Sequence, residues 1–151
     1  RELPEIPFVF AGKGVLKEEV DQVENVSDVG FQNQQQMEEL IKNAAFTVFP
    51  SEWYENCPFS VMESQMYGTP IIASDLGGTP ELVADNVTGE IFRAGDADEL
   101  RDRIYHLWND QDRLRDYREH CRCISKNTAA DRFDSLEEYC EKLLRIYKHV
   151  I

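Results

Sequence analysis

No stretch of this chain approaches the ~20 consecutive apolar residues needed to cross a bilayer, so nothing in it reads as a membrane span. The first residues, Arg1-Glu2-Leu3-Pro4-Glu5, hold no apolar core, and no secretory signal is expected there. Positive charge is scarce: 16 Lys and Arg stand against 29 Asp and Glu, for a net charge of −13. That balance excludes nucleic acid and anionic membrane surfaces as expected partners. A small anionic ligand is compatible with it, because local backbone dipoles outweigh a distant negative field. The cysteines are few, and Cys57, Cys121, Cys123 and Cys140 fit no zinc spacing, so no metal site is expected. They read as reduced thiols of a cytoplasmic protein. The sequons Asn25-Val26-Ser27 and Asn86-Val87-Thr88 then read as chance. Internal repeats and low-complexity segments are absent as well.

What is present is a single domain's worth of alternating elements. Hydrophobic residues make up 42% of the 151, enough for one core. The pattern predicts strands over 7–11, 26–30, 46–49, 70–74 and 88–92. It predicts helices over 15–24, 35–45, 59–68, 79–85, 96–109, 111–124 and 132–148. Strands alternating with helices imply an α/β fold with a parallel sheet flanked by helices. Met37, Leu40, Ile41 and Ala44 share one helical face, as do Leu100, Ile104, Leu107 and Trp108. The last helix carries Leu136, Tyr139, Cys140, Leu143, Leu144 and Tyr147 on a face long enough to lie across the domain.

The most informative stretch runs from Pro50 to Glu81. A strand feeds a polar turn holding Glu55, then a helix holding Glu63, then Gly68, a strand, the turn Ser74-Asp75-Leu76-Gly77-Gly78, and Thr79-Pro80-Glu81. In a parallel sheet both turns leave the carboxyl ends of neighbouring strands, where open α/β folds bind ligands. Thr79 reads as the cap of a helix with Pro80 in its first position.

This stretch resembles the signature of retaining, nucleotide-sugar-dependent glycosyltransferases of the two-domain GT-B fold. Their pattern is Pro-Ser, a Glu, seven residues, a second Glu, Gly-x-Pro, Ser-Asp, Gly-Gly and Pro-Glu. Phe8-Val9-Phe10-Ala11-Gly12-Lys13-Gly14 resembles the family's strand ending in Gly-x-Gly, and Val29-Gly30-Phe31 its next strand end. Gly89 to Phe92 and Asp96 to Leu100 resemble its last strand and following helix. The resemblance implies that residues 1–151 form the Rossmann-like C-terminal half of a GT-B fold, which binds the sugar donor, with C-terminal helices over 96–148. Two departures stand out. Asn56 follows the first Glu where the family has Gly. The family's opening strand, with its Gly-Arg and Lys-Gly that clamp the diphosphate, has no counterpart in the chain.

That last departure predicts an incomplete sheet. In the doubly wound order the first strand is central, so its loss separates the strands at 7–11 and 26–30 from the other three and leaves open edges. Those edges give the isolated chain a route to self-association. Direct pairing of the strands at 7–11 and 46–49, or a strand from another chain, is the alternative.

The resemblance implies roles residue by residue. Glu63 accepts hydrogen bonds from the ribose 2′- and 3′-hydroxyls, and Glu55 lies beside the transferred sugar as the catalytic carboxylate. Without the frame, Glu63 reads as a solvated helix residue and Glu55 as a partner of the helix dipole. The backbone of Cys57, Phe59 and Ser60, at a helix N-terminus, suits phosphate or sugar oxygens. Cys57 by location alone is a nucleophile candidate, but no base is identifiable beside it. Gly77 and Gly78, and Gly12 and Gly14, permit close backbone approach, though each pair also suits an ordinary turn. Phe31 edges the base. Trp53 and Tyr54 either stack on a sugar or base or anchor their loop. His106, His120 and His149 fall on the C-terminal helices, away from these motifs.

The expected function is donor binding for sugar transfer from a nucleotide diphosphate sugar, with retention and with no metal or other cofactor. The acceptor-binding N-terminal domain is missing, and residues 1–151 alone are expected to be inactive. A non-catalytic nucleotide-binding module and a GT-B sugar-nucleotide epimerase are the alternatives. A glycosidase using Glu55 and Glu63 is weaker, because that chemistry does not require the flanking turns.

Overall fold

The computed structural model describes residues 2–126 and 136–150. In chain order the elements are β1 (Phe8–Phe10), α1 (Lys17–Val20), β2 (Val26–Asp28), α2 (Gln34–Asn43), β3 (Thr47–Phe49) and α3 (Phe59–Met66). They continue with β4 (Ile71–Ser74), α4 (Thr79–Leu82), β5 (Gly89–Phe92), α5 (Ala97–Asn109), α6 (Gln111–Lys126) and α7 (Leu136–Val150).

Every strand pair is parallel, as the alternation of strands and helices predicts. The strands form two sheets, β1-β2 and β3-β4-β5, with no pairing between β1 and β3. The interrupted sheet expected from the missing first strand is therefore what is found, and direct closure of the gap is not. The exposure of β1 agrees: Val9 is 56% and Phe10 51% exposed, whereas all four residues of β4 are buried.

Strand β4 shows how the period of two builds the core. Ile72 faces α5 and α6, joining Ile6, Phe92, Ile104, Leu107, Leu114 and Tyr117. Its neighbours Ile71 and Ala73 point the other way, joining Val61 of α3 and Val83. Burying each large aliphatic side chain contributes about 1.5–3 kcal/mol. Phe8 and Val48 pack on the first cluster, so the two sheets share one core although they exchange no hydrogen bonds.

Local chemistry sets several element ends. Asn33 and Gln36 form a reciprocal capping box at the start of α2. The Asp96 carboxylate accepts from the N–H of Glu99 at 3.0 Å at the start of α5. Gly68 closes α3 with a φ of +78°, and the Thr69 N–H donates back to the Ser64 carbonyl at 2.9 Å.

Three expectations are corrected. The helix predicted over 15–24 is only the single turn of α1, because Val15 (98% exposed) and Leu16 (58%) find nothing to pack against, and a short helix cannot offset its nucleation cost unaided. Thr79 is not the cap of α4. Gly78 occupies that position, and the Thr79 hydroxyl is buried without a hydrogen-bond partner. The apolar face of the last helix is not covered by the domain: Tyr139, Leu144 and Tyr147 of α7 are each more than half exposed. Residues 132–135 of its predicted range lie outside the described residues.

Candidate functional site

Strands β3 and β4 are parallel neighbours, so the turns that follow them, 50–58 and 75–78, leave the same end of the sheet. The two turns touch. The Gly78 N–H donates to the Glu55 carbonyl at 2.8 Å. Gly77 holds a φ of +64°, and a Cβ on it would collide with the Glu55 backbone. A Cβ on Gly78 would collide with the Asn56 carbonyl. Glycine at both positions is thus required by packing of one turn on the other.

Two further ties hold this layer. The buried Ser74 hydroxyl donates to the Ser51 carbonyl at 2.8 Å. Asp75 fastens the second turn to the end of β5: its N–H donates to the Phe92 carbonyl and its carboxylate accepts from the Ala94 N–H, both at 2.8 Å.

On this base stand the two carboxylates. Glu55 sits in the turn and Glu63 is the fifth residue of α3, and both are solvent-exposed. Helix α3 opens after Pro58 and carries no side-chain cap. Proline offers neither an N–H nor a capping oxygen. The positive end of the helix, with the N–H groups of Phe59 and Ser60, is therefore left to an external acceptor. The Cys57 thiol lies 3.5 Å from the Met62 sulfur, a contact that supplies no base. Trp53, Tyr54 and Phe59 are 79%, 86% and 74% exposed, three large rings in the same short segment.

A second group forms at the carboxyl end of the β1-β2 sheet. The Gly12 N–H donates to the Gly30 carbonyl at 2.8 Å. Lys13 Nζ stands 5.7 Å from the centre of the Phe31 ring, which is 71% exposed. Gly14 has open space around it. Sequence reading missed the device that shapes this turn: the Asp28 carboxylate accepts from Lys17 Nζ at 2.6 Å and from the Gly30 N–H at 2.8 Å. These partners, Lys17 first, hold its carboxyl below the ordinary range. An Asp two residues before a Gly was the available signal.

The structure thus packs the Glu55 turn on Gly77 and Gly78, with Cys57 later in that turn and Phe59, Ser60 and Glu63 in the first turns of the helix it feeds, and separately groups Gly12, Gly14 and Phe31. Among the described residues no hydrogen bond or ion pair joins the two groups, nor does any cluster of three or more His, Cys, Asp or Glu suit a metal ion. The first group offers carboxylates for hydroxyl groups, a helix N-terminus for an anion, and exposed rings for stacking.

Comparison with known proteins agrees with this architecture. The alpha-maltose-1-phosphate synthase of Mycolicibacterium smegmatis is 34% identical over 122 residues, covering 74% of this chain and 29% of that protein. An uncharacterized 41.2 kDa protein in the cps region of Klebsiella pneumoniae is 29% identical over 108 residues, covering 69% of this chain and 28% of its own length. The chain therefore spans less than a third of either relative. In structure it is similar to Anabaena Alr3699/HepE, solved in complex with UDP (TM-score 0.81, 18% identity, 96% of this chain and 42% of that one). It is also similar to the sucrose-phosphate synthase of Thermosynechococcus elongatus (TM-score 0.80, 22% identity, 98% and 40%). The fold is the Rossmann-like α/β architecture of GT-B C-terminal domains. The family of glycosyl transferases group 1 matches residues 1–127, and the chain belongs to it.

Proposed function

We propose that this chain is the donor-binding domain of a retaining GT-B glycosyltransferase that moves a sugar from a nucleotide diphosphate sugar to an acceptor. The observation that carries the reading is the meeting of the Glu55 turn, the uncapped start of α3 and the Gly77-Gly78 turn at one end of the β3-β4-β5 sheet. Its support from relatives lies in the family match and in the UDP bound by Alr3699/HepE.

In this reading the diphosphate lies at the start of α3, where the N–H groups of Phe59 and Ser60 and the helix dipole meet its charge. The Glu63 carboxylate accepts from the two ribose hydroxyls. Glu55 lies against the transferred sugar, where a fixed carboxylate stabilises positive charge growing at the anomeric carbon. Phe31 edges the base, and the Gly12 and Gly14 turn lets the backbone come close to the donor. Cys57 contributes its backbone and not its thiol. The reading calls for no metal, since backbone dipoles and basic residues hold the diphosphate. The basic clamp and the acceptor domain belong to parts of the protein beyond these residues.

The test is calorimetric titration of the intact protein with a panel of nucleoside diphosphates and their glucose conjugates. Saturable one-to-one binding of at least one member, tighter than for the nucleoside alone, is the expected result. Absence of binding across the panel, with the protein folded, would remove the proposal.

A further inference from the structure

A second, oppositely charged feature lies on α6. Acids outnumber bases 29 to 16, so an arginine here finds a carboxylate easily. Arg93, Arg101, Arg103, Arg113, Arg115 and Arg145 each lie within 4.0 Å of one. Among the described residues the other two arginines, Arg118 and Arg122, pair with none. They are four apart on α6, hence on one face, and both line a single cavity of about 470 Å³. Arg115 lines it as well, and Glu119 is its one carboxylate.

Neither lone guanidinium group is neutralised, and contacts hold the Arg118 head and the Arg122 stem. Arg118 donates to the carbonyls of Ala44 and Ala45 at the C-terminal end of α2, which satisfies some of its N–H groups and leaves its charge. Burial, and then the neighbouring charge of Arg122, lower its pKa, as expected where a counter-charge is lacking. The Arg122 stem lies over Gly68, so closely that a Cβ there would stand 2.8 Å from Arg122 Cγ. Ala45 and Gly68 come just before β3 and β4, so the cavity is at the amino ends of these strands. The turns that carry Glu55 and Gly77 are at the other end.

We propose that this cavity binds the phosphate group of a small, soluble phosphorylated molecule. Planar guanidinium forks match phosphate oxygens in pairs, and Arg118, already tied to the Ala44 and Ala45 carbonyls, loses little entropy on binding. A cavity of this volume suits a small metabolite. A bilayer headgroup fits less well, because the −13 chain as a whole repels an anionic surface.

The test titrates inorganic phosphate and pyrophosphate into the intact protein at constant ionic strength, with saturating nucleoside diphosphate present. The expected result is one saturable site, weakened at least tenfold in Arg122→Gln and Arg118→Gln and less in Arg122→Lys. Nucleoside diphosphate affinity should be the same in Arg122→Gln as in the wild type. Should no nucleoside diphosphate bind at all, the arginine variants alone still locate the phosphate. No saturable binding, or equal binding by wild type and Arg122→Gln, would overturn the proposal. Arg122-dependent capture by vesicles containing phosphatidic acid, with no binding of free phosphate, would overturn it too.

Discussion

The carbonyl of Glu55 accepts a hydrogen bond from the N–H of Gly78 at 2.8 Å, and this contact ties the two turns of the candidate site into one layer. It fixes the backbone from which the Glu55 side chain projects. It also gives the Gly77-Gly78 pair a role that does not depend on any ligand. The site is therefore sensitive to changes that never touch its carboxylates.

Gly77→Ala and Gly78→Ala each drive a Cβ into the backbone of the Glu55 turn, and Gly77 adds a left-handed φ. Each should lower stability by about 2–4 kcal/mol through overpacking and backbone strain. Urea unfolding of the intact protein checks this. An unchanged midpoint would show that the two turns do not pack as described.

Glu63→Gln should weaken nucleoside diphosphate binding by ~1–3 kcal/mol, the worth of a charge-assisted hydrogen bond. The loss should shrink with a 2′-deoxy nucleotide, which lacks one of the two partner hydroxyls. Equal ribonucleotide affinity for wild type and variant would withdraw the ribose assignment. Glu55→Gln should instead lower turnover more than nucleotide affinity, because its partner is the sugar. Steady-state kinetics beside the same titrations separate the two roles.

Tyr117 gives a pH signature. Its hydroxyl lies 3.5 Å from the buried Glu90 carboxylate, and burial, then the charge of Glu90, push its pKa from 10.0 up to about 12. Below pH 10 the folded and unfolded chains both keep the proton. Between pH 10 and about 12 the unfolded chain loses it first. Stability should therefore fall as pH rises through that window, by up to about 1.4 kcal/mol per unit. Tyr117→Phe should flatten this part of the curve in unfolding measured at stepped pH. An identical slope in both proteins would contradict the assignment.

Strand β1 pairs only with β2, so its other edge is unpaired, with Val9 and Phe10 uncovered. Exposed parallel edges template pairing. A polypeptide of residues 1–151 alone should associate as its concentration rises, read by light scattering. A monomer over a hundredfold concentration range would mean that the edge is protected.

The same polypeptide should transfer no sugar, since the resemblance assigns the diphosphate clamp and the acceptor site to other segments. Removing such charge stabilisation costs several kcal/mol in the transition state. Turnover above a contaminant control, from residues 1–151 alone, would count against this division of labour.

Much of this was legible in the chain because it depends on short-range order. The apolar run Ile71-Ile72-Ala73 between Pro70 and Ser74-Asp75, the period near four in Leu100, Ile104 and Leu107, and Gly68 after α3 declare their elements locally. The resemblance carried by the frame around Glu55, Glu63 and Gly77-Gly78 marked the candidate site, and the missing opening strand declared the broken sheet. Tertiary structure decided the rest. The 15–24 segment kept only one turn because nothing packs on Val15 and Leu16. Gly78, not Thr79, caps α4, and its N–H bonds the Glu55 carbonyl 23 positions away, a contact no local pattern shows. The apolar face of α7 is periodic in sequence yet uncovered in the fold, since periodicity names a face and not its partner. The unpaired charges of Arg118 and Arg122 were invisible too, because whether an arginine finds a carboxylate depends on three-dimensional neighbours and not on composition.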